Sequence, residues 1–370
     1  MLFRTKKSVI VEALGRAQNI VERRNTMQIL SNILLSAEKN NFTISATDLE
    51  IGIKIDLPVS VESSGQVTVN AKTFYEIVKK LPDKEIKVES KENSWIEISC
   101  ENSVFKIVGL SSKEFPKFPD LTNKDYSQIK CFDLRDMITK TIFSVSNDET
   151  RYHLNGVYFE PSENNMIRMV ATDGHRLSFV DRSLFAESSK IFPKGIIIPK
   201  KGVIELKRLV EEDPQGTLDV AFDPMNIYAK RGNISLSIRL INGEFPDYRQ
   251  VVPTTNKNRV KVKRDDLLHS LERVSLLASE KSRGVKFTVK NSLMKISSNN
   301  PELGEAKEEV PVDYQGEDLE IGFNARYLTD CLNAIASEDV FLELNDKLSP
   351  GIIKGSNVGN YTCVVMPMKI

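Results

Sequence analysis

The chain has 370 residues, 40% apolar and 28% charged, with 51 Lys plus Arg against 51 Asp plus Glu. That length calls for two or three domains rather than one core, and the composition excludes a disordered chain. A net charge of zero excludes bulk electrostatic attraction to nucleic acid, so any DNA role must rest on segregated charge.

No run approaches the roughly 20 apolar residues of a membrane span, and the first seven residues lack the apolar stretch of a signal peptide. Cys100, Cys131, Cys331 and Cys363 are scattered without a CxxC pair, which points to neither a zinc site nor a disulfide framework. A cytoplasmic location fits these features.

In chain order, the first periodic stretch is 6–22, where Val9, Ile10, Ala13, Leu14, Ala17, Ile20 and Val21 form one apolar stripe at helical spacing. Similar stripes recur at 133–145, with Leu134, Met137, Ile138, Ile142 and Val145, and at 265–279, with Leu267, Leu268, Leu271 and Val274. A second set of helices opens with alignable residues at Val69-Asn70-Ala71-Lys72, Ile198-Pro199-Lys200-Lys201 and Phe323-Asn324-Ala325-Arg326. Asn at an N-cap satisfies an orphan N–H, and Pro is tolerated at a first helical turn. Between the helices lie alternating strand-like runs such as Ile96–Ser99, Ile227–Lys230 and Leu293–Ile296.

Other elements return at nearly the same interval. Ser45-Ala46-Thr47-Asp48 reappears as Val170-Ala171-Thr172-Asp173, and Glu114-Phe115-Pro116 as Glu244-Phe245-Pro246; a third proline-containing close, Met366-Pro367-Met368, ends the chain. The repeat predicts an α+β protein of three copies of one unit, two helices packed on antiparallel sheets, at 1–125, 126–253 and 254–370. Basic side chains outnumber acidic ones on the six helical stretches. The sharpest clusters are Arg23-Arg24, Lys79-Lys80, Lys200-Lys201 and Lys207-Arg208, which suit phosphate contacts that read no base sequence. A solvated helix face explains such clusters equally well.

The segment Ala171-Thr172-Asp173-Gly174-His175-Arg176-Leu177 packs an Asp, a His and an Arg into one short stretch. From these residues alone, three readings stand: a turn whose side chains hold loop geometry, a binding site, or a hydrolytic centre using Asp173, His175 and Arg176. No G-x-S-x-G, P-loop, G-x-G-x-x-G or HExxH pattern accompanies it, so no nucleophile, cofactor or metal is indicated.

Taken together, Arg151-Tyr152-His153-Leu154-Asn155-Gly156, Ala171–Leu177, Pro199–Leu206, Phe245-Pro246-Asp247-Tyr248-Arg249 and the closing Val364-Val365-Met366-Pro367-Met368 resemble the bacterial β sliding-clamp family, the processivity subunit of DNA polymerase III. The resemblance runs essentially the whole chain. It implies a non-enzymatic, cofactor-free protein whose three DNA-clamp domains form a six-domain ring as a homodimer around duplex DNA. Partners implied are the polymerase III alpha subunit, the clamp loader, and other polymerases or repair proteins carrying a short Leu/Phe-containing motif.

Carried over position by position, the partner-peptide site comprises Leu154, Thr172, Gly174, His175, Arg176, Leu177, Pro246, Val251, Val364, Val365, Met366, Pro367 and Met368. DNA contacts fall on Arg24, Lys79, Lys80, Lys200 and Lys201, and the dimer interface on Phe105, Ile107, Leu276 and Leu277. The sequence departs from the family where Asn25 and Gln28 stand in place of prolines, where Ser146–Thr150 is acidic, and where the chain ends Lys369-Ile370. A DNA-free interaction adapter is the alternative that keeps the peptide site without the ring.

Overall fold

The structure, a computed structural model, describes residues 1–21, 27–38, 41–121, 124–185, 195–280, 282–356 and 359–369. Among them one element order occurs three times: a strand, a helix, a run of strands, a second helix and three more strands. The six α-helices of the described residues are α1 (Lys7–Ile20), α2 (Ala71–Lys80), α3 (Cys131–Thr141), α4 (Lys200–Glu211), α5 (Arg264–Val274) and α6 (Ala325–Asn333). They are shorter than the periodic stretches. The apolar spacing runs past the caps of α3 and α5 into 3-10 turns at Ile142–Ser144 and Ser275–Leu277.

The helices start and bury themselves as their residues dictate. Asn70 caps α2 by accepting from Thr73 N at 3.0 Å, and Asn324 caps α6 by accepting from Arg326 N at 3.0 Å. Pro199 precedes α4 and gives no side-chain cap. On α1 the stripe Ile10, Ala13, Leu14, Ala17 and Ile20 is buried, while Glu12 and Arg16 pair at 2.7 Å on the exposed side.

The described residues group into two compact units. One comprises 1–129 with 217–240, the other 130–216 with 241–370. The grouping follows the sheets. In the first unit a thirteen-stranded sheet includes an antiparallel pairing of Ile51–Leu57 with Ile234–Arg239, Ile55 opposite Ile234. In the second a twelve-stranded sheet includes the corresponding pairing of Arg176–Arg182 with Tyr361–Val365, Leu177 opposite Val364. Each sheet therefore runs from one repeat into the next.

A turn precedes each of these receiving strands. Asp48 Oδ1 accepts from Ile51 N at 2.6 Å, and Asp173 Oδ1 accepts from Arg176 N at 3.0 Å. Asn300 Oδ1 does the same for Glu302 N at 3.0 Å. This third turn leads into Gly304–Asp313, where residues 304–311 pair on one side only, with Leu293–Asn300. The last strand of the first repeat, Ser103–Leu110, pairs along Trp95–Cys100, and only Gly109 and Leu110 have a partner on its other side. Among the described residues, 103–108 and 304–311 thus each keep one side without a partner strand.

Candidate functional site

The turn at Asp173 is built by backbone contacts. Asp173 Oδ1 accepts from the backbone N–H groups of His175 at 2.9 Å and Arg176 at 3.0 Å, while Thr172 Oγ1 donates to Arg176 O at 2.7 Å. Gly174 takes φ +89°, a left-handed conformation that suits glycine. Asp173 therefore orients the amide of His175, not its ring. The imidazole is exposed and lies parallel to the Tyr327 ring, centroids 6.3 Å apart. The carboxylate-to-imidazole pairing that a hydrolytic reading of Asp173 and His175 needs is not formed here.

Arg176 is the anchor of the turn. Its buried guanidinium meets Asp173 at 3.1 Å and Asp330 of α6 at 2.5 Å, donates to the carbonyl of Phe143, and stacks over the Phe143 and Tyr327 rings. Burial alone would lower its pKa, but the hydrogen bond to Asp330 and the charges of both aspartates raise it. Its side chain positions the turn instead of facing outward.

Leu177 and Val364 are cross-strand neighbours and share a buried cluster with Val170, Tyr248 and Ile352. Their face is the one opposite α3, because Ser178 on the alternate face meets Ser144 at 2.8 Å. The segment 245–252 packs against this outer face through Phe245, Tyr248 and Val252. Tyr248 donates to Glu160, Arg249 meets both Glu160 oxygens at 2.7 and 2.8 Å, and Arg168 donates to Tyr248 at 3.3 Å. Burial, followed by the bond to Glu160, pushes the Tyr248 hydroxyl up to about 12.

The tail is hooked on both sides: Met366 N donates to His175 O at 2.9 Å and Met368 N to Gly322 O at 2.9 Å. Pro367 falls between them, where no backbone N–H is needed. Leu154, Val364 and Val365 are buried; Met366, Pro367 and Met368 are half-buried; Pro246 and Val251 are exposed. The thirteen sequence-derived residues divide accordingly into a buried support and an accessible apolar rim. Arg151, absent from that set, also belongs here: its Nη1 lies 2.8 Å from where a Cβ on Gly174 would sit.

The proposed DNA contacts behave differently from one another. Lys79 and Lys80 are exposed in the last turn of α2, where they also complement the helix dipole. Lys200 is half-buried and donates to Asn147 at 2.8 Å; burial, then the charges of Arg176 and Arg326, lower its pKa. Lys201 beside it is half-buried. Arg24 lies outside the described residues.

At the open edges, Leu276 is 76% exposed and Leu277 half-buried, and Leu276 shares a cleft with Leu303, itself 61% exposed. On the strand Ser103–Leu110, Phe105, itself exposed, and Ile107, half-buried, pair with Ile98 and Ile96 on one face, and Val104 and Val108 stand exposed on the other. Leu303, Val104 and Val108 were not singled out from sequence. The signal for Leu303 was the third copy of the turn, hidden because Asn300 replaces aspartate.

Comparison with known proteins gives one answer. Residues 1–119, 128–247 and 249–369 match, in order, the N-terminal, central and C-terminal domains of the DNA polymerase III beta subunit. The chain is 36% identical over 370 residues to the beta sliding clamp of Caulobacter vibrioides, covering 99% of each, and 32% identical to that of Vibrio cholerae, covering all of both. It superposes on the crystal structure of a DnaN sliding clamp from Bartonella birtlesii bound to griselimycin with a TM-score of 0.95 at 34% identity, over the whole of both chains. It also superposes on the Caulobacter crescentus beta sliding clamp with polyethylene glycol bound to a putative beta-motif tethering region, with a TM-score of 0.94 at 35% identity, again over both whole chains.

Proposed function

The chain belongs to the DNA polymerase III beta-subunit family, and on that premise we propose how it performs a sliding clamp's work with its own residues. Sliding clamps are non-enzymatic: the ring encircles duplex DNA and tethers the replicative polymerase, making synthesis processive. The observation that carries the reading here is the pair of open edges. Two junctions between repeats are closed by antiparallel strand pairing, and the edges at 304–311 and 103–108 are what a third such junction would use. Two copies joined head to tail would satisfy both edges twice, a heterologous contact that closes when the rotation per copy is 180°. Phe105 and Ile107, on one face of that edge, would then meet Leu276 and Leu277.

Topological linkage explains the neutral net charge. A closed ring needs only weak, sequence-independent phosphate contacts, such as those of Lys79 and Lys80, and sliding stays fast. The apolar rim of Val251, Met366, Pro367 and Met368 takes Leu and Phe side chains of a partner peptide, with methionines adapting to successive partners. The protein works in the cytoplasm; among the described residues no helix is long and apolar enough to cross a membrane.

The test is topological. Labelled protein is loaded on a nicked circular plasmid with a clamp loader and ATP, and half the sample is linearised. Retention on the circle with loss from the linear form is expected. Equal retention on both would replace the ring with ordinary surface binding.

A further inference from the structure

The outer face beside the tail carries a row of charges across three neighbouring strands: Glu160 stands opposite Arg168, and Arg168 opposite Asp181. Two residues along each strand, the same face reads Tyr158, Val170 and Phe179, so the charged row borders the apolar patch on which segment 245–252 rests. Arg168 is the natural cross-strand partner of Glu160. It is instead bidentate to Asp181, at 2.8 Å to each oxygen. Both Glu160 oxygens are thereby left for the segment above.

Glu160 holds two consecutive side chains of one turn. Tyr248–Val251 is a single 3-10 turn, opened by Asp247, whose Oδ1 accepts from Arg249 N at 3.3 Å. Tyr248 donates to Glu160 Oε1, and Arg249 Nη2 meets Oε1 at 2.7 Å and Oε2 at 2.8 Å. Glu160 is 8% exposed and the Arg249 side chain 60%, so the carboxylate is the fixed end, and the arginine folds over the Tyr248 ring to reach it. Apolar packing of Phe245, Tyr248 and Val252 draws the segment onto the sheet but has no direction. Two neighbouring side chains bonded to one carboxylate do have direction, and they fix the rotation of the turn. Val251, which closes that turn and is exposed, stands where the rotation puts it. Apolar residues of similar volume would seat the segment as firmly as the buried charge does, but would leave the rotation free.

We propose that Glu160 is a positioning residue of the partner-peptide site: it touches no peptide, and by holding Tyr248 and Arg249 together it sets the place of Val251 on the rim. The proposal rests on the reading of Val251 and the tail as that rim.

The experiment is fluorescence anisotropy on the full-length protein with a labelled pentapeptide alternating serine and leucine and ending in phenylalanine. Glu160→Leu, which keeps the packing volume and removes the acceptor, should weaken the peptide at least fivefold with the protein fully folded at the assay temperature. Glu160→Gln, which still accepts from Tyr248, should recover part of the loss. In a Val251→Ala background Glu160→Leu should cost less than twofold, because the side chain it places is gone; a general loosening of the fold would cost the same in both backgrounds. Arg249→Met, at an exposed position, should weaken the peptide at least twofold, again only with Val251 present, and serves if Glu160→Leu does not fold. Unchanged affinity in the Glu160→Leu protein, or an undiminished loss in the Val251→Ala background, would overturn the proposal. Deletion of residues 366–370 separates the two readings. If the deletion weakens the peptide and Glu160→Leu does not, the positioning role alone fails; if neither matters, the peptide site fails with it.

Discussion

Replacing Leu276 and Leu303 with alanine tests ring closure quantitatively. Fully burying a leucine side chain is worth about 1.5–3 kcal/mol. With 76% and 61% of these residues exposed, covering them in an interface is worth about 1–2 kcal/mol each, less the alanine methyl that remains. The double variant should therefore lose about 2–3 kcal/mol per interface, or roughly 30- to 150-fold. A closed two-copy ring has two identical interfaces, so its dissociation constant should rise by roughly three to four orders of magnitude. Sedimentation equilibrium across a dilution series reads this directly. A shift near 100-fold would mean one contact and an open dimer; an unchanged dissociation constant would refute the edge-to-edge assignment. Because both leucines are exposed in the single chain, the variant's melting temperature should stay within a few degrees of the parent's.

Deleting residues 366–370 removes two half-buried methionines from the apolar rim and should weaken a Leu/Phe-containing polymerase peptide by at least about 2 kcal/mol; an unchanged calorimetric titration would remove the rim from the peptide site. Asp330→Ala strips one of two carboxylates from the buried Arg176. Asp173 remains and Asp330 is partly solvated, so the cost should be about 1–3 kcal/mol by urea denaturation, below the 3–5 of a fully buried pair. Tyr248→Phe should flatten the alkaline limb of stability. With the hydroxyl raised from 10.0 to about 12, its contribution is present below pH 10 and lost as pH climbs towards 12. The parent should thus lose about 2–3 kcal/mol more than the variant across that window; parallel curves would sink the assignment.

Periodicity and caps made the helices legible, since both are local: α2 and α6 begin where Asn70 and Asn324 offer an acceptor to an orphan N–H. The turn reading of Asp173-Gly174 was also local, and the backbone bonds to Asp173 bear it out. What the sequence did not disclose is which strands pair between repeats. Leu177 and Val364 are 187 positions apart, and no periodicity links them. The burial of Arg176 was hidden for the same reason, because its partner Asp330 is distant in the chain. Nothing in a short motif says whether an arginine faces a ligand or a second carboxylate.

The two outer faces show how one scaffold comes to carry different chemistry. A sheet face is set by alternate residues, so exchanging one position on each of two strands changes its chemistry without touching the core side. Val170 and Phe179 in one unit, against Ser45 and Lys54 in the other, are such an exchange at fixed register. The core-side residues keep their role: Ala46 and Ile53 are buried, as are Ala171 and Val180. Repetition constrains the buried face, because the helices must pack on it, and leaves the outer face to diverge. That is why the repeat was detectable from turns, caps and stripes, while the candidate sites had to be read from the side chains on which the copies differ.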